Sequence, residues 1–193
     1  MPDGSGYQGI IQTRFYDSSG ILKFSFNGNL FYPEFSFDGI FPEVNLLKFF
    51  TAVNDQVIVS GIVKSQVEGK VSPGSFQLSL RIESVPARGV KQTLNFGAVK
   101  ALTALGGGGT IRAITKSDFH YRKLAGRLTL ADGYLTIEGL AGRHGHYQYF
   151  LQSSPWGQGI NVFVDPEMNT IRLEYLLSRL QTAFSRSGKV DLR

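Results

Sequence analysis

Cysteine is absent from this 193-residue chain, which excludes a disulfide framework, a cysteine nucleophile and a thiolate metal site. The absence is compatible with an oxidising compartment without requiring one. Histidine is scarce, at three residues. No apolar run reaches the roughly 18 residues that a bilayer-spanning helix needs. The opening Met1-Pro2-Asp3-Gly4-Ser5-Gly6 has neither the basic nor the apolar region of a signal peptide. It reads as the edge of a piece of a longer protein. Charge is also sparse: 20 basic and 15 acidic residues give a net +5, with a pI near 9.5. The basic residues are scattered. Arg122, Lys123, Arg127 and Arg143 come nearest to a patch, and a solvated strand face accounts for them, so nucleic acid is not an expected partner.

Phenylalanine and glycine are plentiful instead, at 15 and 23 residues, a composition suited to strands with many turns and kinks. The sharpest local signal is Asp132-Gly133 between two alternating runs, because both central residues of a type I′ hairpin turn need positive φ. A two-residue loop there predicts the pairs Ala131–Tyr134, Leu130–Leu135, Thr129–Thr136, Leu128–Ile137 and Arg127–Glu138. One face then carries Leu128, Leu130, Leu135 and Ile137, and the other carries threonines and an opposite-charge pair. Similar alternation marks Leu22, Phe24, Phe26, Gly28 and Leu30, and again Phe76, Leu78, Leu80 and Ile82. Phe35 and Phe37 continue the style after a break at Pro33. Further strands are expected at 57–63, 147–151 and 160–164, with Phe119 and Tyr121 leading into the hairpin. A second tight turn is expected within Gln66–Val71. Helices are expected over 44–52, over 89–105 ending at four glycines, and from Asp165-Pro166-Glu167 onward with Leu173, Leu177, Leu180 and Phe184 as its stripe.

No catalytic constellation emerges. His144 and His146 share a strand face at i and i+2, but a metal site needs further ligands, and only Asp132 and Glu138 are near in sequence. Polar residues around a turn describe them adequately, and His120 reads as surface. Gly106–Gly109 follow a helix rather than precede one, so they stop it instead of cradling a phosphate. No serine lies in a Gly-x-Ser-x-Gly context, and the carboxylates are dispersed. The lone tryptophan, Trp156, anchors a loop or contacts a ligand or membrane interface. The expectation is therefore no catalytic residue, no metal and no cofactor: not an enzyme.

The stretch from Val85-Pro86-Ala87-Arg88-Gly89-Val90 through Asn95-Phe96-Gly97-Ala98 and the glycine run to Tyr121, Leu124, Gly126, Leu128, Leu130, Asp132 and Gly133 resembles the C-terminal region of AsmA-like proteins. Leu140-Ala141-Gly142 and Gly157-Gln158-Gly159-Ile160-Asn161-Val162 resemble the closing strands of that family, so the best-matching segment is 86–165. The aromatic at Tyr121 is one residue off the simplest spacing of the motif. The resemblance implies a fragment of an envelope protein of Gram-negative bacteria, periplasmic and anchored to the inner membrane through a region outside this chain. It also implies an apolar β-groove related to bridge-like lipid transfer proteins, with roles in phospholipid movement and outer-membrane assembly.

The residues and the resemblance together predict one β-rich domain over 1–193. Its fold is mainly β, an elongated, curved, groove-like antiparallel sheet with two or three short-to-medium helices. The expected function is a non-enzymatic envelope-assembly and phospholipid-handling module. Its partners would be a phospholipid or other acyl-chain ligand, the rest of the parent protein and envelope proteins. The candidate lipid-facing residues are Leu22, Phe24, Phe26, Phe76, Leu78, Leu80, Leu128, Leu130, Leu135 and Ile137. The alternative is a closed core, in which the same face packs against the helices and the domain docks onto a larger protein or partner without lipid. A third reading, a polysaccharide-binding or hydrolytic domain, draws on Tyr147, Tyr149 and Trp156.

Overall fold

A computed structural model describes residues 6–16, 18–28, 32–53, 57–95, 97–99, 118–154 and 159–178. The chain is mainly β, built on one open antiparallel sheet with short helices, as the alternation predicts. A meander forms its long path: β1 (Tyr7–Phe15), β2 (Ser18–Gly28), β3 (Pro33–Asn45), β5 (Ile62–Ser72), β6 (Ser75–Val85) and β8 (Phe119–Ala131) pair in that order. Beyond β8 the sheet forks. β9 (Tyr134–Gly139) and β13 (Thr170–Arg172) continue it at one end, and β11 (Tyr147–Ser153), flanked by β10 (Gly142–His144) and β12 (Val162–Val164), continues it at the other. Between β3 and β5 the chain leaves the sheet to form α1 (Leu46–Val53) and β4 (Val59–Ser60), and β4 pairs with β7 (Thr93–Leu94).

The β8–β9 hairpin has the predicted register at all five pairs, from Arg127↔Glu138 to Ala131↔Tyr134. Asp132 and Gly133 sit at φ of +50° and +78°, which is the backbone that a type I′ turn demands. Register then propagates. Leu128 is opposite Leu80, Leu80 opposite Val67, Val67 opposite Gly39 and Gly39 opposite Leu22. Because paired residues share a face, this row lies wholly on the apolar side of the sheet, and the rows that alternate with it, such as Gln66–Arg81–Arg127, lie on the polar side.

At one end of the sheet the apolar face is covered. Val44, Val63, Leu124 and Leu151 from the long strands meet Leu46, Val57, Val59, Leu94, Ala98 and Val99, with Phe41, Phe50 and Phe119 packed against them. Caps hold this cover in place. Asn45 accepts the Lys48 N–H at the start of α1. Asn95 accepts from Ile58 and Ala98 at 3.0 and 2.8 Å, tying the helical turn at 97–99 back to the strand region. Tyr121, 3% exposed, donates its hydroxyl to the Ser60 carbonyl at 2.8 Å.

Several local expectations give way to tertiary context. Gln66–Val71 forms no turn. It runs inside β5, and the reversal comes at Pro73-Gly74. The glycine that resembled a turn signal, Gly69, is needed for space, since a Cβ there would overlap the Phe37 ring. The expected helix over 89–105 is replaced at Thr93–Leu94 by β7, because both residues complete a ladder with β4 and β8; 100–105 lies outside the described residues. Asp165-Pro166-Glu167 makes a turn closed by the Asp165 carboxylate on the Glu167 N–H. The chain then pairs with β9 as β13 before turning helical at 173–178. The strand expected over 57–63 is broken at Gly61 into β4 and β5. Leu30, Gly106–Gly109, Trp156, Leu180 and Phe184 fall outside the described residues.

Burial raises the ionisation of the Tyr121 hydroxyl well above the ordinary value of 10.0. The unfolded chain then loses this proton at a lower pH than the fold does. Stability attributable to Tyr121 is intact below pH 10.0 and falls above it, by up to about 1.4 kcal/mol per pH unit. Tyr121→Phe should remove that component of the alkaline slope in urea melts. It should also cost about 1–2 kcal/mol at neutral pH through the unpaired Ser60 carbonyl.

Candidate functional site

All ten sequence-derived candidates lie on one face of the sheet. Leu22 and Phe24 on β2, Leu78 and Leu80 on β6, Leu128 and Leu130 on β8, and Leu135 and Ile137 on β9 occupy two adjacent cross-strand rows. Phe26 and Phe76 belong to the next row, with Phe35 and Val71 between them. None of the ten is buried. Nine are half-buried, and Phe76 is 41% exposed. In the covered end, by contrast, Val63 and Leu94 are 1% exposed and Leu151 is 0%.

The same face holds residues beyond these ten. Tyr7, Gly9, Ile11, Thr13 and Phe15 on β1 pair with Phe26, Phe24, Leu22, Gly20 and Ser18. Phe37, Val67 and Ile171 extend the rows on β3, β5 and β13. The period-two signal in β1 was present, but Ile10 on the wet side, and glycine and threonine on the apolar side, flattened it. Phe35 and Phe37 were visible, yet their place in the surface depended on register with β2 and β5.

Glycines shape this surface. Phe24 lies over Gly9, Phe37 over Gly69 and Phe41 over Gly20, each ring occupying the space where a Cβ would stand on the neighbouring strand. Rings laid across a strand cover backbone and present a smooth hydrocarbon surface in place of a row of projecting side chains. Phe24 and Phe35 add a stacked pair with centroids 6.5 Å apart, and Phe35 and Phe37 a tilted pair at 6.0 Å. The face offers shape and apolar area, and no charge.

The opposite face is polar and self-neutralising. Arg127 pairs with Glu138 at 3.3 Å and Lys123 with Glu83 at 3.5 Å, while Arg122 donates to Gln152 at 2.9 Å. Three of the four basic residues noted in the sequence are thus engaged on a solvated surface, in pairs of small energetic weight. An open polar depression of about 420 Å³ lies there, lined by residues including Gln66, Arg81 and Arg127. Gln66 donates to the neighbouring carboxylates of Asp38 and Glu68. On this strand surface Glu68 is exposed and Asp38 half-buried.

Among the described residues no group of three or more potential metal ligands comes together. His144 and His146 flank the β10–β11 turn at Gly145, His144 in edge and tilted contact with Tyr149 and Phe163 and His146 tilted against Tyr147. His120 is half-buried, not surface, because its strand pairs with Thr93 of β7. Tyr147 and Tyr149 cluster on Phe163 at 6.2 and 4.5 Å. No helix among the described residues is long and apolar enough to cross a membrane.

No family model, curated protein or solved structure matches this chain.

If ring-over-glycine packing sets the surface, Gly69→Ala should cost about 1–3 kcal/mol by forcing Phe37 off its rotamer. Combining it with Phe37→Ala should cost less than the sum of the two single changes. A double-mutant cycle in urea checks this, and strict additivity would show that the ring does not depend on the glycine.

Proposed function

We propose that this chain is a non-enzymatic lipid-handling module whose uncovered apolar sheet face holds acyl chains of a phospholipid. The observation that carries the reading is the contrast within one face. Covered at one end by α1, β4 and β7, the face continues across eight strands with its leucines and phenylalanines half-buried or exposed. An aliphatic chain laid on it gains about 0.8 kcal/mol per methylene removed from water. About ten methylenes suffice for useful affinity without a single polar contact. The resemblance of 86–165 to AsmA-like proteins agrees with this reading. It extends it to a periplasmic part of an inner-membrane-anchored envelope protein that works with the rest of its parent chain and other envelope proteins.

A module of this kind needs no catalytic residue, metal or cofactor. Specificity would come from the length and width of the apolar strip and not from headgroup recognition, since the strip carries no charged side chain. The competing closed-core reading requires the strip to be structural throughout. The two separate on what a charge does to it.

Leu130→Glu tests the distinction. On an open face it should abolish retention of phospholipid and binding of a fluorescent fatty acid. Its stability cost should be under about 1.5 kcal/mol, because carboxylate and water remain in contact. Leu94→Ala in the covered end should cost about 2–5 kcal/mol and leave lipid binding of the folded fraction unchanged. Native mass spectrometry and urea melts read both quantities. Wild-type protein that carries no lipid and excludes the probe, or a Leu130→Glu chain that unfolds, would refute the reading.

A further inference from the structure

We propose that the polar face carries a phosphate-ester site, in which Arg81 and Arg127 clasp the phosphate group of a small, soluble, hydroxylated ester. The inference is independent of what the apolar face carries. β6 and β8 set the two arginines directly opposite each other, in the row Ile40–Gln66–Arg81–Arg127–Glu138. This row lies inside the sheet, with paired strands on both sides of the two arginines. Like charges placed directly opposite destabilise a strand pair. The register therefore holds an unfavourable contact, which an anion between the two guanidinium groups would turn favourable.

The neighbouring carboxylates leave that position open. Glu138 stands beyond Arg127 and accepts from one of its Nη groups at 3.3 Å. Glu68 lies diagonal to Arg81 across β5 and β6, yet its Oε1 accepts from Gln66 Nε2 at 2.7 Å, and Gln66 also reaches Asp38 at 3.4 Å. Arg81 itself is exposed, and its guanidinium makes no ion pair or hydrogen bond among the described residues. A guanidinium presents five N–H donors in a planar fork, which matches a phosphate's oxygens through paired, charge-assisted bonds.

Both arginines line the depression of about 420 Å³ on this face. Ser79 and Thr129, paired with each other one step along the same face, line it as well, together with Gln77. Their hydroxyl and amide groups donate to and accept from the alcohol part of an ester, and Glu68, which also lines the depression, accepts from its hydroxyls. That carboxylate sets the ligand's charge too. It repels a polyanion and tolerates a single phosphate held on the far side by two cations. The sheet separates the depression from the apolar strip, so the phosphate belongs to a molecule other than a lipid lying on that strip.

Isothermal titration calorimetry of the whole chain with glycerol 3-phosphate, at about 20 mM salt to limit screening, should show one saturable site. Arg81→Gln should weaken it about tenfold or more, and Arg81→Lys should recover only part of the loss, because an ammonium lacks the fork. Glu68→Gln should tighten binding several-fold by removing a like charge. Arg143→Gln, at an exposed arginine that faces Gln148 across its strand pair and not a second arginine, should leave binding unchanged. All three positions are exposed, and circular dichroism verifies the fold. The proposal fails if glycerol 3-phosphate does not bind, or if Arg81→Gln binds it as the wild type does. It also fails if Arg81→Gln and Arg143→Gln weaken binding equally, the mark of unspecific charge. Co-sedimentation with phosphatidylglycerol vesicles separates the two sources of phosphate: pelleting that Arg81→Gln abolishes would assign the site to a membrane headgroup and overturn the soluble ester.

Discussion

In a sheet whose side chains alternate with period two, a slip of one residue in any strand exchanges its apolar and polar faces. The molecule depends on that slip being forbidden along the path from β1 to β9. Tight hairpins forbid it at Asp132-Gly133 and Pro73-Gly74, where two-residue loops lock the partners. The rows they fix are long: Ile11, Leu22, Gly39, Val67, Leu80, Leu128 and Ile137 lie in one cross-strand line. Apolar and polar faces follow from register, not from any single strong contact.

Given those faces, packing decides where the molecule is a core and where it is a surface. The cover of α1, β4, β7 and the 97–99 turn closes one end, and its caps at Asn45 and Asn95 and the Tyr121–Ser60 hydrogen bond hold it on. Past that cover the chemistry of the face is unchanged, but its burial falls from near zero exposure to a third or more at Phe35, Val71 and Phe76. Rings settled over glycines keep this part smooth. Stability and the proposed function thus occupy two ends of one face, which lets a charge at Leu130 and a cavity at Leu94 have separable consequences.

Much of this was legible in the residues. Strict alternation in 22–26, 76–82 and 127–138 gave strands, faces and one complete register, because those segments satisfy local turn chemistry and tertiary pairing at once. Where the two conflict, local reading failed. Gly69 resembles a turn residue and serves as space for Phe37. Thr93–Leu94 sits in a helical pattern and completes a ladder. Asp165-Pro166 carries a helix-start signature, and β9 claims the residues after it as a strand. The site candidates share a face because alternation determines sidedness. Their exposure was not legible, since what covers a strand depends on segments distant in sequence, such as α1 and β7.

The central claim is that acyl chains lie on the uncovered part of the apolar face. Photo-cross-linking with a diazirine fatty acid, followed by peptide mapping, tests it most directly. The account predicts label on peptides containing Phe24–Phe26, Phe76–Leu80 and Leu128–Ile137, and none on those containing Leu94–Val99. Read residue by residue, label spread evenly over both faces, or found on Ile21 and Ile40 in place of Leu22, Phe24 and Phe37, would contradict it.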